Sequence, residues 1–173
     1  MKKALILAAL PFALAAVPAA AQVTPDTETY AIALSGSVAS NCELIPEGSG
    51  SYNVDMLNQG NQGALVIAYS CNSPYKVSLT SANGGMKNVT SNGAVNIDYD
   101  VEASFLGFGA TTTNSATMHN TPKTIVTNTD WQNILTNGGV RHGNLDLSFD
   151  NAGEFAVAGD YEDTLTITLA AQL

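Results

Sequence analysis

Apolar and polar residues alternate with a period of two through most of this chain, and no segment sustains the period of a helix. From Tyr161 onward, Tyr161, Leu165, Ile167 and Leu169 share one parity and Thr164, Thr166 and Thr168 the other, with Asp163 as the polar entry point. Such a strand buries one face and wets the other, and branched threonines favour its extended backbone. Tyr30, Ile32 and Leu34 repeat the design near the other end, followed by a break at Ser35-Gly36-Ser37. Between these ends the alternation predicts strands over 38–44, 52–56, 75–80, 95–102 and 145–149. Ala64–Cys71 is apolar on both parities, which marks a central strand covered on both faces.

Residues 104–109 read as a covering loop. The Thr-, Asn- and Gly-rich stretch 110–139 carries only weak strand-like fragments, around 124–127 and from Trp131 to Leu135, and Phe155–Val157 adds a short piece before Gly159. Many short strands, Gly/Asn turns and one cysteine pair predict an all-β fold of the β-sandwich kind. An outer-membrane barrel needs longer strands with aromatic girdles, and the scattered Tyr and Phe residues do not supply them.

The first residues change the picture of where the chain works. A basic tip at Lys2-Lys3, an apolar run from Ala4 to Val17 and Ala19-x-Ala21 predict a secretory signal peptide over residues 1–21. Its apolar core is too short for a membrane anchor, and no later span is long enough to cross as a helix. Export through the bacterial periplasm to the cell surface or medium is the expected route. Residues 22–35 then form a tail carrying the Tyr30–Leu34 strand, and 36–173 a single domain. Loss of Lys2 and Lys3 moves the formal charge from −9 to −11, with all fifteen acidic residues retained. So acidic a chain repels phosphate backbones and anionic membranes, which excludes a nucleic-acid role. Cys42 and Cys71 are the only cysteines. An even pair in an exported chain reads as one disulfide, the alternative being two buried thiols.

Candidate chemistry is sparse. His119 and His142 lie apart in Gly-, Asn- and Thr-rich surroundings without the further ligands a zinc site needs. Asp98, Asp100 and Glu102 alternate along one wet strand face, and Asp160, Glu162 and Asp163 cluster at the last turn without a calcium-loop pattern. Asp163 and Thr164 there read as orienting the turn into the terminal strand through side-chain to backbone bonds. Asn88-Val89-Thr90 fits a glycosylation acceptor by pattern alone. No nucleophile elbow or phosphate loop is present, so the expectation is a protein that is not an enzyme, with no cofactor and no metal.

The terminal run Gly159-x-Tyr161-x-Asp163-Thr164-Leu165-Thr166-Ile167-Thr168-Leu169, with Tyr69-Ser70-Cys71-Asn72 and Val38-Ala39-Ser40-Asn41-Cys42, resembles the spore coat protein U family of secreted β-domains. That family includes major subunits of archaic chaperone–usher pili. The chain departs from it at Asp55–Asn58, where many members carry a Phe-Gly pair. The resemblance implies an incomplete immunoglobulin-like, pilin-type sandwich. It implies a periplasmic chaperone and an outer-membrane usher as partners, and neighbouring copies in a filament supporting attachment or biofilm formation. Tyr30, Ile32 and Leu34 would then be a donor strand completing the next copy by strand addition. An ordinary first strand in a self-complemented coat protein buries the same face, and a carbohydrate-binding adhesin module is the other alternative.

Overall fold

The computed structural model describes residues 28–48, 50–136, 139–149 and 157–172; the expected signal peptide and most of Phe155–Val157 lie outside them. The chain divides between Ser37 and Val38. In the first unit, residues 28–37 carry neither helix nor strand, so the predicted Tyr30–Leu34 strand has no ladder there.

The second unit is a mostly-β fold with several sheets. A five-stranded sheet has the order β1 (Cys42–Pro46), β2 (Gly60–Cys71), β9 (Arg141–Phe149), β6 (Asp100–Phe105) and β7 (Thr111–Asn114). A three-stranded sheet sets β3 (Tyr75–Ser81) between β11 (Leu165–Ala171) and β8 (Lys123–Asn128). A small sheet joins β10 (Tyr161–Glu162), β4 (Met86–Asn88) and β5 (Asn96–Ile97). Every pairing of these strands is antiparallel. The Cys42–Cys71 disulfide joins β1 to β2 at directly opposed positions.

The period-two pattern decides what faces inward. Val101, Ala103 and Phe105 on β6 and Leu145, Leu147 and Phe149 on β9 are buried, while their alternates are wet or half-buried. Val77 and Leu79 of β3 belong to the same apolar cluster, so the two larger sheets share one core. Each such side chain contributes on the order of 2 kcal/mol by leaving water. Tyr69 packs edge-on to Phe105 at 5.5 Å and to Tyr75 at 5.7 Å between ring centres. Gly143 sits opposite Phe105 in the β6–β9 register, and a Cβ there would run into the Phe105 ring.

Five expectations are corrected. The 95–102 alternation breaks at Asp98-Tyr99: Asn96-Ile97 joins the small sheet and Asp100 onward joins the large one. Its strand then runs on through Ser104-Phe105, which the sequence reads as loop. Trp131–Thr136 is a short helix, α1, and not a strand. Asp130 starts it by accepting the Gln132 amide at 2.9 Å, and the buried Arg141 guanidinium donates to the Asn133 carbonyl at 3.1 Å. Finally, the terminal run is two pieces in different sheets: Tyr161 pairs with Asn88 in the small sheet, and Leu165–Ala171 pairs with β3. The first strand of the body also starts later than expected, at Cys42 and not Val38.

Candidate functional site

The polar break between β10 and β11 is built around one carboxylate. Asp163 accepts from the Ser81 hydroxyl at 2.6 Å, the Tyr99 hydroxyl at 2.8 Å, and the amides of Asn83 at 2.9 Å and Thr164 at 2.7 Å. Four donors on one aspartate hold the chain where it leaves the small sheet, in line with the turn role read from the sequence. Burial, reinforced by the bond to the Asp163 carboxylate, pushes the Tyr99 hydroxyl well above the ordinary tyrosine range. The group stays protonated and donates to the carboxylate.

Downstream of that pin, β11 is an edge strand of the three-stranded sheet, and β1 is an edge strand of the five-stranded one. Leu165, Ile167 and Leu169 pack against the core but are only half-buried, whereas Val77 and Leu79 on the neighbouring β3 are at 1% and 0% exposure. The difference marks an unfilled flank. A cavity of about 620 Å³ opens there, with Leu165 and Ile167 on one wall and Leu44, Leu65 and Ile67 on the other. Val66, Glu47, Gly48 and the stretch Gly50–Tyr52 complete its lining. The groove is apolar along its walls and bordered on each side by a strand edge. Its chemistry suits an extended segment that offers main-chain bonds and alternate apolar side chains.

Of the residues singled out in the sequence, Leu165 and Ile167 line this groove and Leu169 lies further along the same strand face. Tyr161 is half-buried in the small sheet, with its hydroxyl bonded to the main chain of Val157 at 2.9 Å. Tyr30, Ile32 and Leu34 expose 89%, 69% and 92% of their surface. Three large apolar side chains at two-residue spacing and largely in water are costly for a chain that keeps them there. The opposite wall, Leu44, Leu65 and Ile67, was not marked by the sequence as a site. Ala64–Cys71 is apolar on both parities, so the pattern carries no sign of which side chains meet a groove.

The remaining candidates stay apart. His119 and His142 are exposed on different elements, and His142 pairs only loosely with Glu47, at 3.4 Å. Asp98 and Asp100 share the Asn114 amide at 3.1 and 2.9 Å on the wet side of the large sheet. Among the described residues no three His, Cys, Asp or Glu side chains gather as a metal site, and no helix is long and apolar enough to cross a membrane. Asn88 is fully buried, and its side chain accepts from the Ser91 amide at 2.8 Å, so the glycosylation pattern there offers no accessible acceptor. No protein-family model matches the chain, and comparisons with curated proteins and with solved structures return no match.

Proposed function

We propose that this protein is a structural subunit of a secreted surface filament, assembled when the Tyr30–Leu34 segment of one copy fills the groove of another. In this reading the two larger sheets are an immunoglobulin-like, pilin-type sandwich lacking one strand. The single observation that carries it is the pairing of a lack with a surplus. The body leaves an apolar groove between two strand edges, and the same chain bears an exposed segment with matching alternation.

The physical argument is one of complementary needs. Filling the groove would finish burying Leu165 and Ile167 and would remove Tyr30, Ile32 and Leu34 from water, on the order of 2 kcal/mol for each side chain fully buried. Main-chain bonds to the strand edges would add affinity without dictating sequence. One copy's segment in the next copy's groove is a head-to-tail contact, which does not close on itself and so grows a filament. The resemblance to the spore coat protein U family supports the same reading, with a periplasmic chaperone holding the unfilled subunit and an outer-membrane usher assembling it. Attachment or biofilm formation would be the cellular role.

The test replaces both Ile32 and Leu34 with Asp in the mature protein. Two charges in an apolar groove abolish assembly, and the expected result is a folded monomer with the wild-type circular dichroism and no high-mass species. A variant that unfolds instead identifies the segment as a strand of its own domain, and the coat-protein reading replaces the filament.

A further inference from the structure

Residues 51–55 alternate as a strand should, yet they belong to no sheet. Val54 and Met56 nevertheless pack half-buried against the core, and Tyr52 lines the groove beside Leu165 and Ile167. A segment with strand patterning, apolar contacts and no ladder needs another fastening. One side chain supplies much of that fastening. Gln62 accepts from the Asp55 amide at 3.3 Å and donates to the carbonyls of Asp55, at 3.1 Å, and of Asn58. The Tyr52 hydroxyl in turn donates to the main-chain carbonyl of Gln62.

The position of Gln62 explains why it can do this. β1 pairs with β2 only from Ile67 to Cys71, so on that side Gly60–Val66 lies beyond the reach of β1. The β2–β9 register shifts between Asn61 and Ala64, and Gln62 sits inside the irregularity, where its side chain is freed from the regular pleat. Gly63 beside it has φ +109°, and a Cβ there would meet the Tyr52 hydroxyl at 2.6 Å, so the close approach of Tyr52 requires the glycine.

We infer that residues 52–58 are a displaceable plug that covers part of the groove in the unassembled subunit and leaves when a donor strand enters. This rests on the strand-addition reading above and adds the regulation of that site. Tyr52, Val54 and Met56 offer the same spacing as Tyr30, Ile32 and Leu34, but they are held by side-chain bonds and not by a ladder. A segment fastened that way opens at lower free energy than the sheets around it. The plug shields apolar surface while the subunit is alone, and a donor with a full set of main-chain bonds outcompetes it. Its release sets the speed of strand capture.

The test uses the mature Ile32→Asp/Leu34→Asp protein, whose own segment cannot compete, and a labelled synthetic peptide of residues 28–36. The capture rate is measured with and without Gln62→Ala, and amide exchange is followed over residues 52–58. Gln62→Ala is expected to speed capture about tenfold, and capture is expected to deprotect residues 52–58. Capture by the Gln62→Ala protein alone supports the plug equally. An unchanged rate with unchanged exchange at 52–58 overturns the plug and leaves strand addition standing. Capture by neither protein, or equal binding of a peptide carrying Ile32→Asp and Leu34→Asp, overturns both.

Discussion

At the scale of single residues the fold depends on a few polar pins set in an apolar core. Tyr99 is 4% exposed and donates a hydrogen bond from its hydroxyl to Asp163, which also fixes Ser81, Asn83 and the start of β11. Because its folded pKa lies above the ordinary value of 10.0, the unfolded chain loses this proton first as pH rises. Stability from the group is therefore complete below pH ~10 and falls as the solution becomes more alkaline. Tyr99→Phe keeps the ring and removes the donor, which costs about 1–2 kcal/mol at neutral pH. The variant also loses part of the alkaline dependence. Urea titrations at pH 7 and above pH ~10 check both parts, since a variant with the wild-type alkaline slope would show that Tyr99 does not carry it. None of these partners is legible in the sequence. Asp163 reads as a turn residue, but Ser81 and Tyr99 lie 82 and 64 positions away from it.

At the scale of elements, alternation was a good guide wherever one face is buried and the other wet. It located β9 and β11, where more buried positions alternate with wetter ones, and β3, whose polar alternates are themselves buried or half-buried. It missed the breaks at Asp98-Tyr99 and Asp163-Thr164 because parity continues across them. The strand reading of Trp131–Leu135 failed for a different reason. Its docking comes from one buried apolar side chain, Ile134, and from the polar contact of Asn133 with the buried Arg141, which together leave no hydrophobic period. Residues 52–56 show the converse, a strand-like pattern whose place beside β2 is held by Gln62. One strand pair carries a visible cost. Glu102 on β6 stands directly opposite Asp146 on β9 on the wet face, and like charges so placed repel. Glu102→Gln is expected to raise stability by about 0.5 kcal/mol at low salt, with the gain shrinking as salt screens the pair. A higher urea midpoint at unchanged slope would show it; no gain at low salt would mean the side chains turn away from each other.

At the scale of the whole molecule, two features legible in the sequence acquire a joint meaning from the fold. The Tyr30–Leu34 alternation and the Leu165–Leu169 alternation each predict a strand with one buried face. In the structure the first has no ladder and the second has an unfilled flank. Sequence periodicity could not separate a strand that completes its own domain from one that completes another, because both bury the same side chains. The fold adds a cavity of about 620 Å³ lined from both larger sheets, which a segment of either origin would fill. The direct measurement is a photo-crosslink from position 32, with a benzophenone side chain replacing Ile32, in assemblies grown from equal amounts of isotopically light and heavy subunits. The account predicts links from residue 32 to the groove wall around Leu165 and Ile167, half of them joining a light chain to a heavy one. Links confined to chains of one isotope would contradict it, because each segment would then be filling its own subunit.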